Sequence, residues 1–385
     1  MNALSPKKRL LTAIRHEEPD TVPVSPRVGF FLQEYYGCGC WEHMLKASEE
    51  FDFDPIVLIG PELPNYLYWP PESYPDIPGV KIRSQSEVLP DGTTLVGREI
   101  TTPAGRLTDK SKLSTGSRFL LKAAGDVQRL EHMIKGPEDL EKVRYLLLDP
   151  SGKRFPGIGK ITKKVGERGL VAVGVYCALD HKAGALYSPN KMMEDYYLNR
   201  DFVVELLRMF HEYTMAETKA YLESGAEAIH GSWYWASLSV GWSPRIYKDP
   251  FVPLIKEHVR LVHNYGAIYH FYDDGKCMPI LDVLKEAGID IIDTLTPPPM
   301  GDVNLAEAKR RIGDDVCLKG HIDLYHVIRK GTPDLIRDTV REAIRTAGPG
   351  GGFLLGTSDS IRAAPVNNVS AYFKAGRDFG RYPIS

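Results

Sequence analysis

The chain has 385 residues, 43% hydrophobic and 25% charged, as in an ordinary globular protein. Its 48 basic and 50 acidic residues leave a net charge of −2 with no run of like charge, which argues against nucleic acid or an anionic membrane as partner. No stretch reaches the roughly 18 apolar residues of a membrane span. The opening MNALSPKKRLLTAIRHEEPD lacks an apolar core of signal-peptide length, so a cytoplasmic location is expected.

In chain order, DTVPVSP (20–26) and DFDPIVLIG (52–60) read as two early strands. Cys38 and Cys40 fall between them. The C-x-C pair offers two soft donors to a metal, but no second pair lies nearby. With Cys177, Cys277 and Cys317 they make an odd, scattered set, which predicts free thiols rather than a disulfide framework. Residues 80–114 alternate polar and apolar around DG and AG turns and predict a β-hairpin insertion after strand two, near the barrel mouth. GLVAVGVY (169–176) reads as strand three.

From there one unit repeats: an amphipathic helix, a glycine, then a short apolar strand. MAETKAYLESG leads into AEAIHG, LIKEHVRLVHNYG into AIYHF, and MPILDVLKEAG into IDIIDT. LAEAKRRIG leads into DDVCLKGH, and DLIRDTVREAIRTAG into GGFLLGTSD. Glycine past a helix end is the residue that turns left-handed at least cost. Strands alternating with such helices predict right-handed parallel βαβ units. The total is eight strands, so the expected fold is an α/β (β/α)8 barrel, a single domain over 1–385, with an open doubly wound sheet as the other reading. GPGGGF (348–353) precedes a strand rather than a helix and is expected to be a flexible connection, not a phosphate loop. Residues 365–379 close the chain as a helix with Pro365 near its start.

A barrel of this kind builds its site at the C-terminal strand ends. Those ends carry Arg27; Gly60 and Glu62; Tyr176, Cys177 and Asp180; His230, Ser232 and Trp233; His270, Tyr272 and Asp274; Asp293; Lys319 and His321; Ser358 and Asp359. Within AIYHFYDDGK, alternation puts His270 and Tyr272 on one face, with Asp273 and Asp274 at the turn. The stretch reads as a metal site, an acid/base site or a polar strand end. Three aromatics in a row, Trp233, Tyr234 and Trp235, cannot all be core, so at least one is expected to line a cavity. Lys319 before Gly320 is a candidate Schiff-base lysine without a second supporting feature.

The opening helix followed by PDTVPV resembles the uroporphyrinogen decarboxylase superfamily, as do KGHIDLYHVIRKGTPDLIRDTV and GGFLLGTSDSIRAAPVNNVSAYFKAGRDFGRY. The resemblance implies a (β/α)8 barrel and either of two chemistries: decarboxylation of a porphyrinogen, or methyl transfer involving a corrinoid carried on a separate protein. Where the decarboxylase branch has an arginine-rich RQAGR-type motif this chain has SPRVGFFLQEYYG, with only Arg27 to stand in. The GHGI histidine is replaced by SDSI around Asp359. The thiol-activating methyltransferases carry an H-x-C-G zinc signature; here Tyr272 and Asp274 fall at its histidine and cysteine, and Asp359 near a second cysteine. Zinc that activates a thiolate prefers sulfur and imidazole, so the oxygens argue against that use.

What the resemblance then implies is a corrinoid-dependent methyltransferase that demethylates a small donor, an aryl methyl ether before a methylamine or betaine, onto a partner corrinoid protein. His270, Tyr272, Asp274 and Asp359 are its candidate catalytic residues. Arg27, Tyr176, His230, Trp233, Tyr234, Asp293 and His321 are candidates for substrate binding. If a divalent metal such as zinc is held, His270, Asp274 and Asp359 are the expected ligands. Homodimers are common in the superfamily, so a homodimer is a possible assembly. A lyase or decarboxylase, or a non-catalytic binding barrel, is the alternative.

Overall fold

The computed structural model describes residues 3–61, 66–68, 74–114 and 127–384. Glu62 of the predicted second strand end lies outside the described residues. The chain divides into two compact units: residues 1–60, 154–175 and 221–385 form the first, and residues 61–153 and 176–220 the second.

The first unit carries a seven-stranded parallel sheet of β1 (Ile56–Ile59), β6 (Leu170–Tyr176), β7 (Ala228–Ser232), β8 (Ile268–Tyr272), β9 (Ile291–Thr294), β10 (Cys317–Ile322) and β11 (Phe353–Thr357), in that spatial order. All seven coincide with strands expected from the sequence, β7, β8 and β10 running one residue past the expected end. The eighth, at 20–26, is a correction: it forms no ladder, and only isolated bridges tie it in, Val24 parallel to Leu355 and Thr21 antiparallel to Arg381. Pro23 and Pro26 have no N–H, so no ladder can run through this segment. It nevertheless fills the eighth position. The Leu355 N–H donates to Pro23 O at 2.9 Å and the Ser25 N–H to Leu355 O at 2.8 Å. On the other side the Asp54 N–H donates to Val24 O at 2.8 Å, and the Asp54 carboxylate accepts the Val24 N–H at 3.0 Å. The α/β barrel class stands, with one strand reduced to a bridged, proline-flanked segment.

The helix Pro6–Ile14 begins at a Ser5 N-cap with proline in its first turn. It buries Leu10, Ala13 and Ile14 against Leu170, Ala172, Ala228, Ile291, Cys317 and Leu354, which fill the interior at the N-terminal ends of the strands. Each large apolar side chain so buried contributes about 1.5–3 kcal/mol. That plug leaves the C-terminal ends for polar chemistry. The GPGGGF run is an ordered turn and not a loose connection: Gly350, Gly351 and Gly352 all take left-handed φ of 63–79°, and the Gly352 N–H donates to Ala13 O at 3.0 Å.

The second unit holds an antiparallel sheet in the order β2 (Lys81–Val88), β3 (Thr94–Thr102), β4 (Gly105–Leu113) and β5 (Val127–Glu131). The insertion is therefore larger than the hairpin expected over 80–114. Its first turn closes at Gly92, with the Leu89 N–H donating to Thr93 O at 2.8 Å. Arg98 and Asp109, opposite each other in register, form a fully buried ion pair that the Tyr66 and Leu67 carbonyls complete.

Candidate active site

Strand register assembles the inner half of the site. His230 lies opposite His270, Tyr272 opposite Asp293, and Asp293 opposite Lys319. Asp293 is the hub: its Oδ2 accepts from Lys319 Nζ at 2.7 Å and faces His270 Nε2 at 3.1 Å. Asp293 is 0% and Lys319 2% exposed, and a carboxylate so far from water survives only with charge-assisted partners. Burial alone would raise its pKa, but Lys319 and His270 outweigh that and hold it well below the usual carboxylate range. Burial pushes both histidines below their ordinary value, His230 strongly, so both are neutral imidazoles at pH 7. Their rings stand edge to face, 4.7 Å apart.

The outer half lies at the strand ends. Tyr272 OH donates to Asp274 Oδ2 at 2.6 Å, and Thr294 Oγ1 lies 3.3 Å from Asp274 Oδ1. The Arg27 guanidinium sits 4.1 Å over the Tyr272 ring, a cation–π contact, and 3.9 Å from Asp359, which also pairs with Arg362 at 2.5 Å. Burial and the nearby Asp359 charge push the Asp274 carboxyl up to about 6. A carboxyl that titrates near 6 and is bonded to a phenol holds a proton in mild acid and can pass it on, which makes the two a proton-donor pair there. Tyr234 is half-buried with its ring 6.2 Å from that of Tyr272.

The structure thus brings together Arg27, His230, Tyr234, His270, Tyr272, Asp274, Asp293 and Asp359. Trp233 and His321 lie elsewhere, and Tyr176 falls in the second unit. Trp233 is 0% exposed and packs in the layer outside the sheet, where its Nε1–H donates to Tyr269 OH at 3.0 Å; it is core, and Tyr234 is the aromatic that reaches the site. His321 is expected with Lys319 at the end of its strand. Gly320 at φ +131° and His321 at φ +88° break the pleat, and the imidazole lines a groove with Leu305, Thr339 and Glu342 of the helical layer. Tyr176 belongs to the second unit, where its ring packs 4.1 Å from His181 and its carbonyl accepts from Lys182. The residue under-weighted from sequence is Lys319. A lysine inside the apolar run VCLKG had to be buried, and a buried ammonium requires a carboxylate.

Among the described residues, His230, His270 and Asp293 bring ligand atoms within 4.8 Å of one another; the expected set of His270, Asp274 and Asp359 does not. His230 Nε2, His270 Nδ1, Asp293 Oδ1 and Arg27 Nη1 are buried without a hydrogen-bond partner in the chain, which suits a polar ligand. A resident zinc fits poorly. Asp293 already carries the Lys319 ammonium at 2.7 Å, which would stand against a dication beside it. Lys319 takes the place of the cation.

A family model described as uroporphyrinogen decarboxylase (URO-D) matches residues 127–379. Curated relatives bear that name, among them proteins from Trichodesmium erythraeum and Chlorobium luteolum. The protein from Trichodesmium erythraeum is 27% identical over 160 residues, 41% of this chain and 42% of that protein. The one from Chlorobium luteolum is 30% identical over 131 residues, 34% of each. The chain thus spans less than half the length of these relatives. A solved methyltransferase from Methanosarcina mazei superposes over 98% of this chain and 99% of its own with a TM-score of 0.64 at 18% identity, a likeness of fold. No helix among the described residues is long and apolar enough to cross a membrane. With two thirds of the chain under its model, including every strand of the barrel after β1, this protein belongs to the uroporphyrinogen decarboxylase family.

Proposed function

We propose that the chain is an enzyme of methyl transfer: the methyltransferase component of a corrinoid-dependent system, which demethylates a small donor, an aryl methyl ether in first place, onto a corrinoid held by a separate protein. The observation that carries this reading is the Tyr272–Asp274 pair at 2.6 Å with the Asp274 carboxyl raised to about 6. Cleaving a methyl ether breaks a C–O bond whose electron pair stays on oxygen, and a phenolate leaves poorly unless that oxygen takes a proton. When Asp274 is protonated it donates to the Tyr272 oxygen, which frees the Tyr272 hydroxyl to turn to the ether. As that hydroxyl gives its proton to the departing oxygen, Tyr272 takes the Asp274 proton, so the phenol leaves neutral and Asp274 is left as carboxylate. Such a positioned acid accelerates a reaction by about 10²–10⁴-fold. Arg27 over the Tyr272 ring and the Tyr234 ring beside it supply a cationic and aromatic wall for the donor. The buried His270–Asp293–Lys319 set beneath holds the wall rigid.

The relatives' printed name suggests porphyrinogen decarboxylation as the second reading. It is less well served, because Arg27, Lys319 and Arg362 are the cations placed here by the described residues, and Lys319 and Arg362 are already paired with Asp293 and Asp359. The test is to mix the reduced protein anaerobically with cob(I)alamin or a corrinoid protein and a panel of methoxylated aromatics and methylated amines, and to follow methylation of the corrinoid by absorbance. Methylation with one donor, cut at least about tenfold by Tyr272→Phe, supports the reading. No methylation across the panel with an active carrier, and release of CO2 from uroporphyrinogen instead, would overturn it.

A further inference from the structure

We infer that Cys38, Cys40 and His43 form a zinc site where the turn after the helix Gly29–Tyr36 runs into the helix Trp41–Phe51, with His43 in the first turn of the latter. One sulfur or nitrogen from each lies within 4.8 Å of the others, and all three are half-buried. Both thiols are free. The turn is built for close approach. It joins the helices Gly29–Tyr36 and Trp41–Phe51, and a Cβ on Gly39 would stand 2.8 Å from the Gly29 carbonyl oxygen, so only glycine lets the two cysteines flank that point. The imidazole is held on two sides: its ring stacks on Tyr36 at 5.1 Å and 27°, and its Nδ1 lies 3.0 Å from Cys38 O. When Nδ1–H donates to that carbonyl, Nε2 keeps the lone pair, which is the second contact that metal-ligating histidines characteristically make.

The donor set selects the ion. Two sulfurs and an imidazole suit zinc, whereas magnesium and calcium take oxygens. Zn–S bonds of about 2.3 Å and Zn–N bonds of about 2.0 Å place tetrahedral ligands about 3.4–3.8 Å apart, so small side-chain rotations close the present spacing. Three protein ligands leave the fourth tetrahedral position to water. Burial and the Cys38 thiol keep the Cys40 thiol protonated above its ordinary value, so zinc binding releases protons. The ion would clip residues 38–43 onto the Gly29 backbone, two residues from Arg27.

The experiment uses the full reduced chain. Titration with Co2+ is expected to give a sulfur-to-cobalt charge-transfer band at about one equivalent, displaced by Zn2+. Cys38→Ser removes the band, and His43→Ala weakens zinc binding by about tenfold or more, as loss of a ligand requires. Zinc should also slow alkylation of Cys38 and Cys40 in the unmutated protein, read by peptide mass spectrometry, a measurement independent of how any variant folds. Full-strength zinc binding by Cys38→Ser, or equal alkylation with and without zinc, would overturn the proposal.

Discussion

Replacing Lys319 by methionine removes one charge from a pair that water does not reach. The side-chain volume is nearly kept, so the loss is electrostatic: Asp293 keeps its bond to His270 and loses the ammonium at 2.7 Å. Removing one partner of a buried pair costs about 3–5 kcal/mol, and the surviving imidazole places this case near the lower end, about 3 kcal/mol. Adding Asp293→Asn removes the stranded charge and should recover most of that loss. The sign with pH follows. In the wild type Asp293 titrates below its unfolded value, so its stabilisation is complete at neutral pH and is lost only as pH falls through that depressed value. Without Lys319, burial raises the carboxyl, which takes a proton in the folded state on mild acidification. The deficit of Lys319→Met should therefore be largest at pH 7 and shrink toward about pH 4. Urea unfolding at several pH values, with free energies from linear extrapolation, measures it. A deficit under about 1 kcal/mol at pH 7, or a double variant no better than the single one, would refute the hub role of Asp293.

Trp233→Phe should cost about 1 kcal/mol through its lost bond to Tyr269 and leave turnover unchanged; a large fall in kcat without loss of stability would return Trp233 to the site. Gly320→Ala forces a side chain to within 1.8 Å of the Thr294 carbonyl oxygen at a φ of +131°, so thermal denaturation should show a loss of at least about 3 kcal/mol. A stable Gly320→Ala protein would show that the break in the pleat, which turns His321 outward, is not required.

The helix–glycine–strand repeat carried most of the barrel, because each strand is a short apolar run closed by a turn signal. Its reasoning held for different causes at different places. Gly266 and Gly288 are left-handed past their helices, whereas Gly313 and Gly348 have helical φ and are glycines because a Cβ would meet the Lys309 or Ile344 carbonyl oxygen at 2.5 Å. The first strand failed for a reason visible in it, the prolines at 23 and 26. The insertion was under-read because β5 follows β4 only after a gap of a dozen residues, beyond the reach of hairpin patterning. In the site, alternation puts His270 and Tyr272 on one face, as observed, while the strand-end position of His321 says nothing of the break in the pleat at Gly320 that turns it away. The Asp293–Lys319 contact depends on register between β9 and β10, which no local pattern encodes. His43 stands three residues after Cys40, a spacing legible in the sequence, whereas its approach to both thiols depends on the turn between the two helices.

The central claim is that Asp274 delivers a proton to the departing oxygen through Tyr272. The pH dependence of single-turnover methyl transfer, wild type against Asp274→Asn on one donor, tests it most directly. The account predicts that the wild-type rate falls as pH rises through about 6, where the acid form is lost, and that Asp274→Asn is slower by about 10²–10⁴-fold with that limb gone. An Asp274→Asn enzyme with near wild-type rate and an unchanged profile would contradict it.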